Sequence, residues 1–430
     1  MLNTLPKQLQ KLLPIPTLSM LLGYFSYHNT ALLTIGAYTA LGISLIVLIL
    51  KPDQLKILKV IYQNNKTVIM TALVYIGYLI ISAFFFSYKN LYQKTLDELY
   101  TALRYQVIFL IILIAFKREW VKRYLLFSFI ITLSALCFIM PIKSYFFPLI
   151  LENGTFESLF MAFRYGYLCP ITILYPFLLA TLLIWHQRLY QFFVLLLSIA
   201  SFTIVLLSGG RGAFITIFTE LMLFIGIYAY YKKFNLHKML AVYVIVVSII
   251  VGALTLGYQF NPLVRGKIVQ SASNHNFTSG RTEMITSRFP VFIKNSSIIY
   301  GTGYGNHIYQ KFLEDHKAPK VVGFYTTRKS GETIYHYWHD EPQFLAVFYE
   351  SGIIGLVLFT IFLFSFLTVC IQYTSGRNIV GTILIGIFLS IIGNTFILGI
   401  SDHTSINNLF LCFVIFLVVT AIKASENQTQ

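Results

Sequence analysis

The chain has 430 residues, of which 57% are apolar and only 11% are charged. Soluble domains carry about 25% charged residues, so this composition excludes an ordinary soluble protein. The net charge of +16 does not indicate a nucleic-acid partner. Most of the Lys and Arg residues lie in short loops between apolar segments, where they set the topology of membrane proteins.

Apolar segments recur along the whole chain, each about 20 residues long, which is the length that crosses hydrocarbon as a helix. They are continuous rather than alternating, which favours helices over a membrane barrel. We therefore predict an all-α polytopic membrane protein with about twelve transmembrane helices, at residues 13–28, 31–50, 67–86, 99–116, 125–140, 167–185, 192–209, 212–231, 239–258, 344–373, 379–400 and 408–422.

The distribution of basic residues in the short loops predicts that both termini are cytoplasmic. Three regions follow: transmembrane helices 1–9 within 1–258, one long periplasmic loop at 259–343, and transmembrane helices 10–12 with a short cytoplasmic tail at 344–430. The apolar segment 344–373 exceeds one simple crossing, so we expect it to tilt or to project from the membrane.

The 259–343 segment is too long to be a simple connector, and we expect it to carry function. Its pattern predicts helices at about 281–294 and 306–317. A further helix is expected to start within 340–343, with Asp340 as its cap and Pro342 in its first turn.

Several arginines are candidates for binding an anion. Arg211 follows two glycines between two apolar segments, where it either has a functional partner or extends its side chain to the interface. Arg281 and Arg288 are seven residues apart, so both can lie on one helix face. A guanidinium fork suits phosphate oxygens, and the alternative is a solvated helix face with an ion pair.

Glycines and buried carboxylates mark two further features. Gly301-Thr302-Gly303-Tyr304-Gly305 lacks a preceding strand and a following Lys-Ser/Thr, so we interpret it as a sharp, closely packed turn rather than a nucleotide loop. Glu220 and Glu350 lie inside apolar segments, where an ionisable residue is a functional candidate. Of the two we favour Glu350 as a residue that supports a site.

The junction of the long loop with the next apolar segment concentrates polar and aromatic residues, in the run Tyr335-His336-Tyr337-Trp338-His339-Asp340-Glu341-Pro342-Gln343. A metal site at His336 and His339 is one interpretation. General-base catalysis by a histidine beside a carboxylate fits better. Trp338 and the tyrosines either support a sugar or lipid or simply belong to the interfacial aromatic belt.

These features together favour a substrate that brings its own activation and its own membrane anchor. A lipid-linked sugar diphosphate is such a substrate, because fixed arginines stabilise its diphosphate leaving group without a metal. A histidine would accept the proton of the incoming hydroxyl.

The chain resembles the O-antigen ligase family of bacterial inner membranes, within the wider O-antigen ligase and polymerase superfamily. The resemblance covers about residues 200–360 and rests on an ordered set of motifs: Arg211-Gly212-Ala213, Gly280-Arg281, the 301–305 turn, His339-Asp340-Glu341 and Glu350-Ser351-Gly352-Ile353-Ile354-Gly355. Asp340 stands where the family form commonly has Asn, which adds a charge beside the histidine.

The resemblance implies a GT-C-like membrane glycosyltransferase that moves a glycan from undecaprenyl diphosphate to an outer sugar of lipid A–core. It implies inversion of the sugar, a periplasmic active site in the inner membrane, and no metal, ATP or other cofactor. Carried over, His339 is the catalytic base, and Arg211 and Arg281 bind the diphosphate. Arg288 is a further diphosphate candidate; His336, Trp338, Asp340 and Glu350 have supporting places.

Other functions remain open at this stage. A polysaccharide polymerase and a protein O-oligosaccharyltransferase belong to the same superfamily. A transporter or flippase is a different class and would place charged residues near the bilayer midplane. The ionisable residues here cluster instead at the predicted outer face.

Overall fold

The structure is a computed structural model of the full chain. It describes all residues except 1–4, 26–29, 151–167, 208–209, 261–264, 267–268, 270–280, 320–324, 328–332, 336–341, 375–377, 400–405 and 428–430. The side chains of a few further residues, among them Arg281 and those at 139–150, also lie outside the described part.

The described chain is almost entirely helical, as predicted. Its helices are α1 (Leu5–Leu12), α2 (Pro14–Phe25), α3 (Thr30–Leu50), α4 (Lys56–Phe86), α5 (Tyr92–Ala115), α6 (Arg118–Ile150), α7 (Leu168–Ala180), α8 (Arg188–Leu207), α9 (Arg211–Tyr231), α10 (Leu236–Phe260), α11 (Arg281–Asn295), α12 (Asn306–Asp315), α13 (Gln343–Tyr373), α14 (Ile379–Ile391) and α15 (Ile406–Asn427). Short 3₁₀ turns lie at Pro52–Leu55, Tyr88–Asn90 and Thr181–Leu183, and a π-helix at Ile392–Leu398 continues α14.

Ten of the described helices are long and apolar enough to cross a membrane, and the shorter apolar helix Pro170–Leu183 joins them. Each of the twelve predicted spans has a helix at its place; the first, 13–28, contains only the short helix α2 (Pro14–Phe25). The prediction of an all-α polytopic membrane protein is therefore confirmed.

The bundle has an interior and a periphery. In their apolar windows, 78% of the residues of Ile379–Leu398 and 83% of those of Ile406–Glu426 are buried, against none for Leu236–Gln259. Hydrogen bonds between side chains join the inner helices: Asn65 donates to Thr420 at 2.9 Å, and Thr172 donates to Asn394 at 2.7 Å. Such polar contacts hold helices together where lipid supplies no hydrophobic drive.

Two small features differ from the pattern predicted for the long loop. A short antiparallel hairpin pairs Tyr325–Thr327 with Thr333–Tyr335, a local exception to the helical chain. Helix α13 begins at Gln343, and Pro342 occupies the N-cap position that was predicted for Asp340, without a side-chain cap hydrogen bond. Pro342 has a ψ of 141°, outside helical geometry, so the helix begins only after it.

Candidate functional site

The glycine turn at 301–305 is bound to the start of α13 by backbone hydrogen bonds. The amide of Thr302 donates to the carbonyl of Tyr349 at 2.9 Å, and the amide of Gly303 donates to that of Glu350 at 2.8 Å. A Cβ on Gly301 would lie 2.6 Å from the backbone of Glu350, so the two segments touch main chain to main chain. We call this contact between 301–305 and 349–352 the turn clasp.

The turn clasp coincides with a break in α13. Gly352 has φ 65° and ψ −167°, a conformation that is essentially restricted to glycine. The amide of Ile353 donates to the carbonyl of Ile298 at 2.9 Å, and the Tyr78 hydroxyl donates to the carbonyl of Ser351 at 2.7 Å. Backbone groups released at the break thus find partners outside the helix, which burial requires.

Glu350 and Tyr304 lie together inside the turn clasp. Glu350 is 5% exposed and Tyr304 is 8% exposed. Burial, and then the neighbouring Glu350 carboxylate, raises the pKa of the Tyr304 phenol well above its ordinary value. Tyr304 therefore stays a neutral phenol, and the carboxylate lies at the interior of the turn rather than in solvent. The sequence pointed to Glu350 but not to Tyr304, whose only signal was its place between glycines.

Arg288 is the largest fully buried side chain of the described part. It lies on the face of α11 that also buries Met284 and Phe292, at one-turn intervals. The ring of Phe292 packs 4.8 Å from that of Tyr349, next to Glu350. This burial rules out the solvated helix face as the interpretation of Arg288, whose helix face packs near the start of α13 through Phe292.

Helix α12 is fixed at its start to α5 and at its end to the 3₁₀ turn that precedes α5. At its start, the amide of His307 donates to the Glu98 carboxylate at 3.1 Å, a favourable place for a negative charge. At its end, Asp315 accepts from Lys89 at 2.7 Å and forms an ion pair with Lys311 at 3.0 Å. Hydrogen bonds from these two lysines lower the pKa of Asp315 to about 2. Nothing in the local sequence marks either contact.

The predicted arginines at helix starts take the positions expected of them. Arg211 is the first residue of α9 and is partly buried, after Gly210 at the N-cap. Arg281 is the first residue of α11, and its side chain lies outside the described part. The helix dipole is positive at both starts, so backbone and guanidinium charge have the same sign there.

The junction residues His336, Trp338, His339 and Asp340 lie outside the described residues. The chain is described up to Tyr335, at the end of the hairpin, and again from Pro342, at the cap of α13. Within the described residues, no group of three His, Cys, Asp or Glu side chains converges as a metal site does. The metal interpretation of His336 and His339 stays a hypothesis.

Glu220 lies in a different environment, within the helical bundle. It is fully buried on α9, and neither carboxylate oxygen has a hydrogen-bond partner among the described residues. A Cβ placed on Gly393 would lie 1.9 Å from its Oε1, so the π-helix passes directly over the carboxylate. π-helical turns are frequent at functional sites, but here the described residues show a packing contact.

Residues 193–360 match the family model described as O-antigen ligase. The matched residues, less than half of the chain, are similar to the O-antigen ligase domain of that family. The O-antigen ligase domain begins in α8, includes Arg211, both loop helices and the turn clasp, and ends shortly after Gly355. No curated protein matches the chain.

This match confirms the resemblance seen in the motifs and supports a membrane enzyme of the ligase or polymerase type. Within the O-antigen ligase domain, the structure brings Glu350, Tyr304 and the buried face of α11 together at the start of α13. Glu220 belongs to the same domain but lies against the π-helix.

Proposed function

We propose that the protein is an O-antigen ligase: it transfers a glycan from undecaprenyl diphosphate to an outer sugar of lipid A–core, with inversion and without metal or ATP. The site faces the periplasm, in an inner-membrane protein with both termini in the cytoplasm. The observation that carries this proposal is the family match over 193–360, whose span includes every residue proposed for the site.

In this proposal His339 is the general base that accepts the proton of the acceptor hydroxyl. The oxygen of that hydroxyl attacks the anomeric carbon of the donor sugar, the bond from that carbon to the diphosphate breaks, and the diphosphate leaves with the electron pair. His336, Trp338 and Asp340 are neighbours of the base in the sequence and are proposed to support it, with the aromatic ring of Trp338 as a face for a sugar or lipid.

Arg211, Arg281 and Arg288 are proposed to bind the diphosphate, whose charge grows as the bond breaks. The burial of Arg288 supports this role, because a guanidinium fixed by packing does not have to reorganise during the reaction. The starts of α9 and α11 support it for Arg211 and Arg281, since an anion is stabilised at a helix N-terminus.

Glu350 is proposed to position the site rather than to react. Its carbonyl accepts from Gly303 and its side chain lies beside Tyr304, so it joins the long loop to the first turns of α13. That helix begins at Gln343, four residues after the proposed base. The turn clasp thus gives the loop a fixed end at the membrane boundary.

Deletion of the gene, followed by analysis of lipopolysaccharide and lipid-linked glycan together, tests the proposal. We expect lipid A–core without the glycan while full-length lipid-linked chains accumulate. Lipid A–core that carries single repeats would indicate a polymerase instead. Unchanged lipopolysaccharide with loss of a glycoprotein would indicate protein O-glycosylation, and loss of lipid-linked glycan from the outer leaflet would indicate a flippase.

A further inference from the structure

A second candidate site lies at the opposite end of the bundle from the turn clasp. Helix α4 ends at Phe86, close to the turn clasp, because the amide of Tyr88 in the next 3₁₀ turn donates to the carbonyl of Thr302. The same helix begins at Lys56, at the opposite end of the bundle. There the structure contains a cavity of about 510 Å³ between α1, the segment after α3 and the connection from α5 to α6. This volume falls in the range of small-molecule sites, about 300–1,000 Å³.

The cavity is strongly basic. Five cationic side chains line it: Lys7, Lys11, Lys51, Lys117 and Arg118. Glu119 is the one carboxylate among its lining residues. Glu119 is already paired with Lys117, at 2.8 Å. The lining therefore has a net charge of +4, concentrated around a single concave space.

A buried glutamine joins the elements around this cavity. The carbonyl of Ala115, in the last turn of α5, accepts from the buried side chain of Gln10 at 2.9 Å. Lys51 donates to the other end of the same Gln10 amide at 3.3 Å. Gln10 thus ties α1 to the ends of α3 and α5.

The wall of the cavity beneath the cations is apolar. Ile57, Leu113, Ile114, Phe116 and Val121 line it and are buried. Helix α1 carries Lys7 and Lys11 one turn apart, while Leu5 and Leu12 are exposed. A helix with this division lies in the membrane interface, with basic residues at the headgroup level. A basic rim over an apolar wall at that level suits an amphiphilic anion better than a free one.

We propose that this cavity binds the phosphate-bearing headgroup of an anionic phospholipid. The cations surround the phosphodiester, the apolar wall contacts the glycerol and first acyl carbons, and Gln10 keeps α1 closed over the site. Topology alone accounts for basic residues at a membrane surface, but not for their convergence on one cavity with a buried amide at its edge.

The test is native mass spectrometry of the full-length protein in detergent, titrated with phosphatidylglycerol and with phosphatidylcholine of the same acyl chains. We expect phosphatidylglycerol to bind more tightly. In a variant with Lys7→Gln, Lys11→Gln and Lys117→Gln, we expect its affinity to fall about tenfold or more, since a basic residue near an anionic surface contributes roughly 1 kcal/mol. All three lysines are exposed, so the fold should tolerate these changes.

The matched control removes three lysines near another loop, by Lys232→Gln, Lys233→Gln and Lys238→Gln. An equal loss of affinity in both variants would overturn the proposal, because it would reduce the effect to general surface charge. Displacement of the lipid by millimolar glycerol phosphate would also overturn it, in favour of a soluble phosphate.

Hydrogen exchange of the wild-type protein gives an independent measurement. We expect phosphatidylglycerol, and not phosphatidylcholine, to protect the amides of residues 5–12. Equal protection by the two lipids would contradict the site.

Discussion

Glu350 and Glu220 are both buried carboxylates within apolar helices of one domain, but the structure surrounds them differently. Glu350 lies in the turn clasp, where backbone groups of the long loop bind the broken start of α13. Glu220 lies in the bundle, where a glycine of the π-helix leaves room for its carboxylate. The comparison suggests that burial alone does not identify a site, and that the chemical region is the one joined to the loop.

The largest expected effect is on the rate of glycan transfer, which should fall in a variant of the loop junction and not in a variant of the bundle. His339→Ala should reduce glycan transfer about 10²–10⁴-fold, the range for a general base, with an unchanged melting temperature. Glu220→Gln should leave transfer within about threefold of wild type, because we place it outside the chemistry. Both are measured with purified protein and lipid-linked donor. Near-normal transfer by His339→Ala would refute the base role, and a large loss in Glu220→Gln would erase the distinction.

The turn clasp can be broken at its most constrained residue. In Gly352→Ala the new Cβ would lie 2.2 Å from the carbonyl oxygen of Ile299, in a backbone conformation that disfavours any side chain. We expect a loss of about 3 kcal/mol in stability, seen as a lower melting temperature, together with loss of transfer. Gly77→Ala in α4 is the matched control, since its Cβ would meet no atom within 4 Å. Equal stability of the two variants would contradict the clasp.

A substitution of Arg288 tests whether the long loop binds the donor. Arg288→Lys keeps the charge but removes the planar fork. We expect the KM for the lipid-linked donor to rise about tenfold, since a hydrogen bond to a charged group contributes about 1.5–3 kcal/mol. A purely structural role would instead lower the melting temperature and leave the KM unchanged.

The contact between Glu220 and the π-helix can be tested by a double-mutant cycle. Gly393→Ala would place its Cβ 1.9 Å from Oε1 of Glu220, and we expect a loss of about 1–3 kcal/mol from overpacking. Adding Glu220→Ala removes the carboxylate and should restore much of that loss, with a coupling of about 0.5–3 kcal/mol. Additive effects on the melting temperature would show that the two residues do not meet.

The smallest expected effect concerns the attachment of α12. The pKa of Asp315 is lowered to about 2 from an ordinary 3.8, so its contacts stabilise the folded state above about pH 4 and are lost as the pH falls towards 2. Hydrogen exchange at residues 306–315 should increase over that window. Asp315→Asn should abolish this pH dependence of hydrogen exchange. Unchanged protection of residues 306–315 in the wild type between pH 4 and 2 would contradict the stabilising role of Asp315.

The sequence predicted the membrane helices well, because continuous apolar segments respond to one strong constraint, the width of the hydrocarbon. It also located α11 and α12 within a few residues. It did not predict the break at Gly352 or the burial of Arg288, since both depend on contacts between segments about 50 to 60 residues apart. Glu98 and Lys89 were missed for the same reason: nothing local marks a residue of α5, or of the turn before it, as the partner of α12.

The break in α13 has a consequence for the design of chimeras. Carbonyls and amides that a continuous helix would pair internally are paired here with residues 298–303. A transplanted loop segment that lacked a matching turn would leave these groups without partners. A chimera between relatives should therefore take residues 297–305 and 349–354 from the same parent. The protein that supplies the loop then also supplies the first turns of α13.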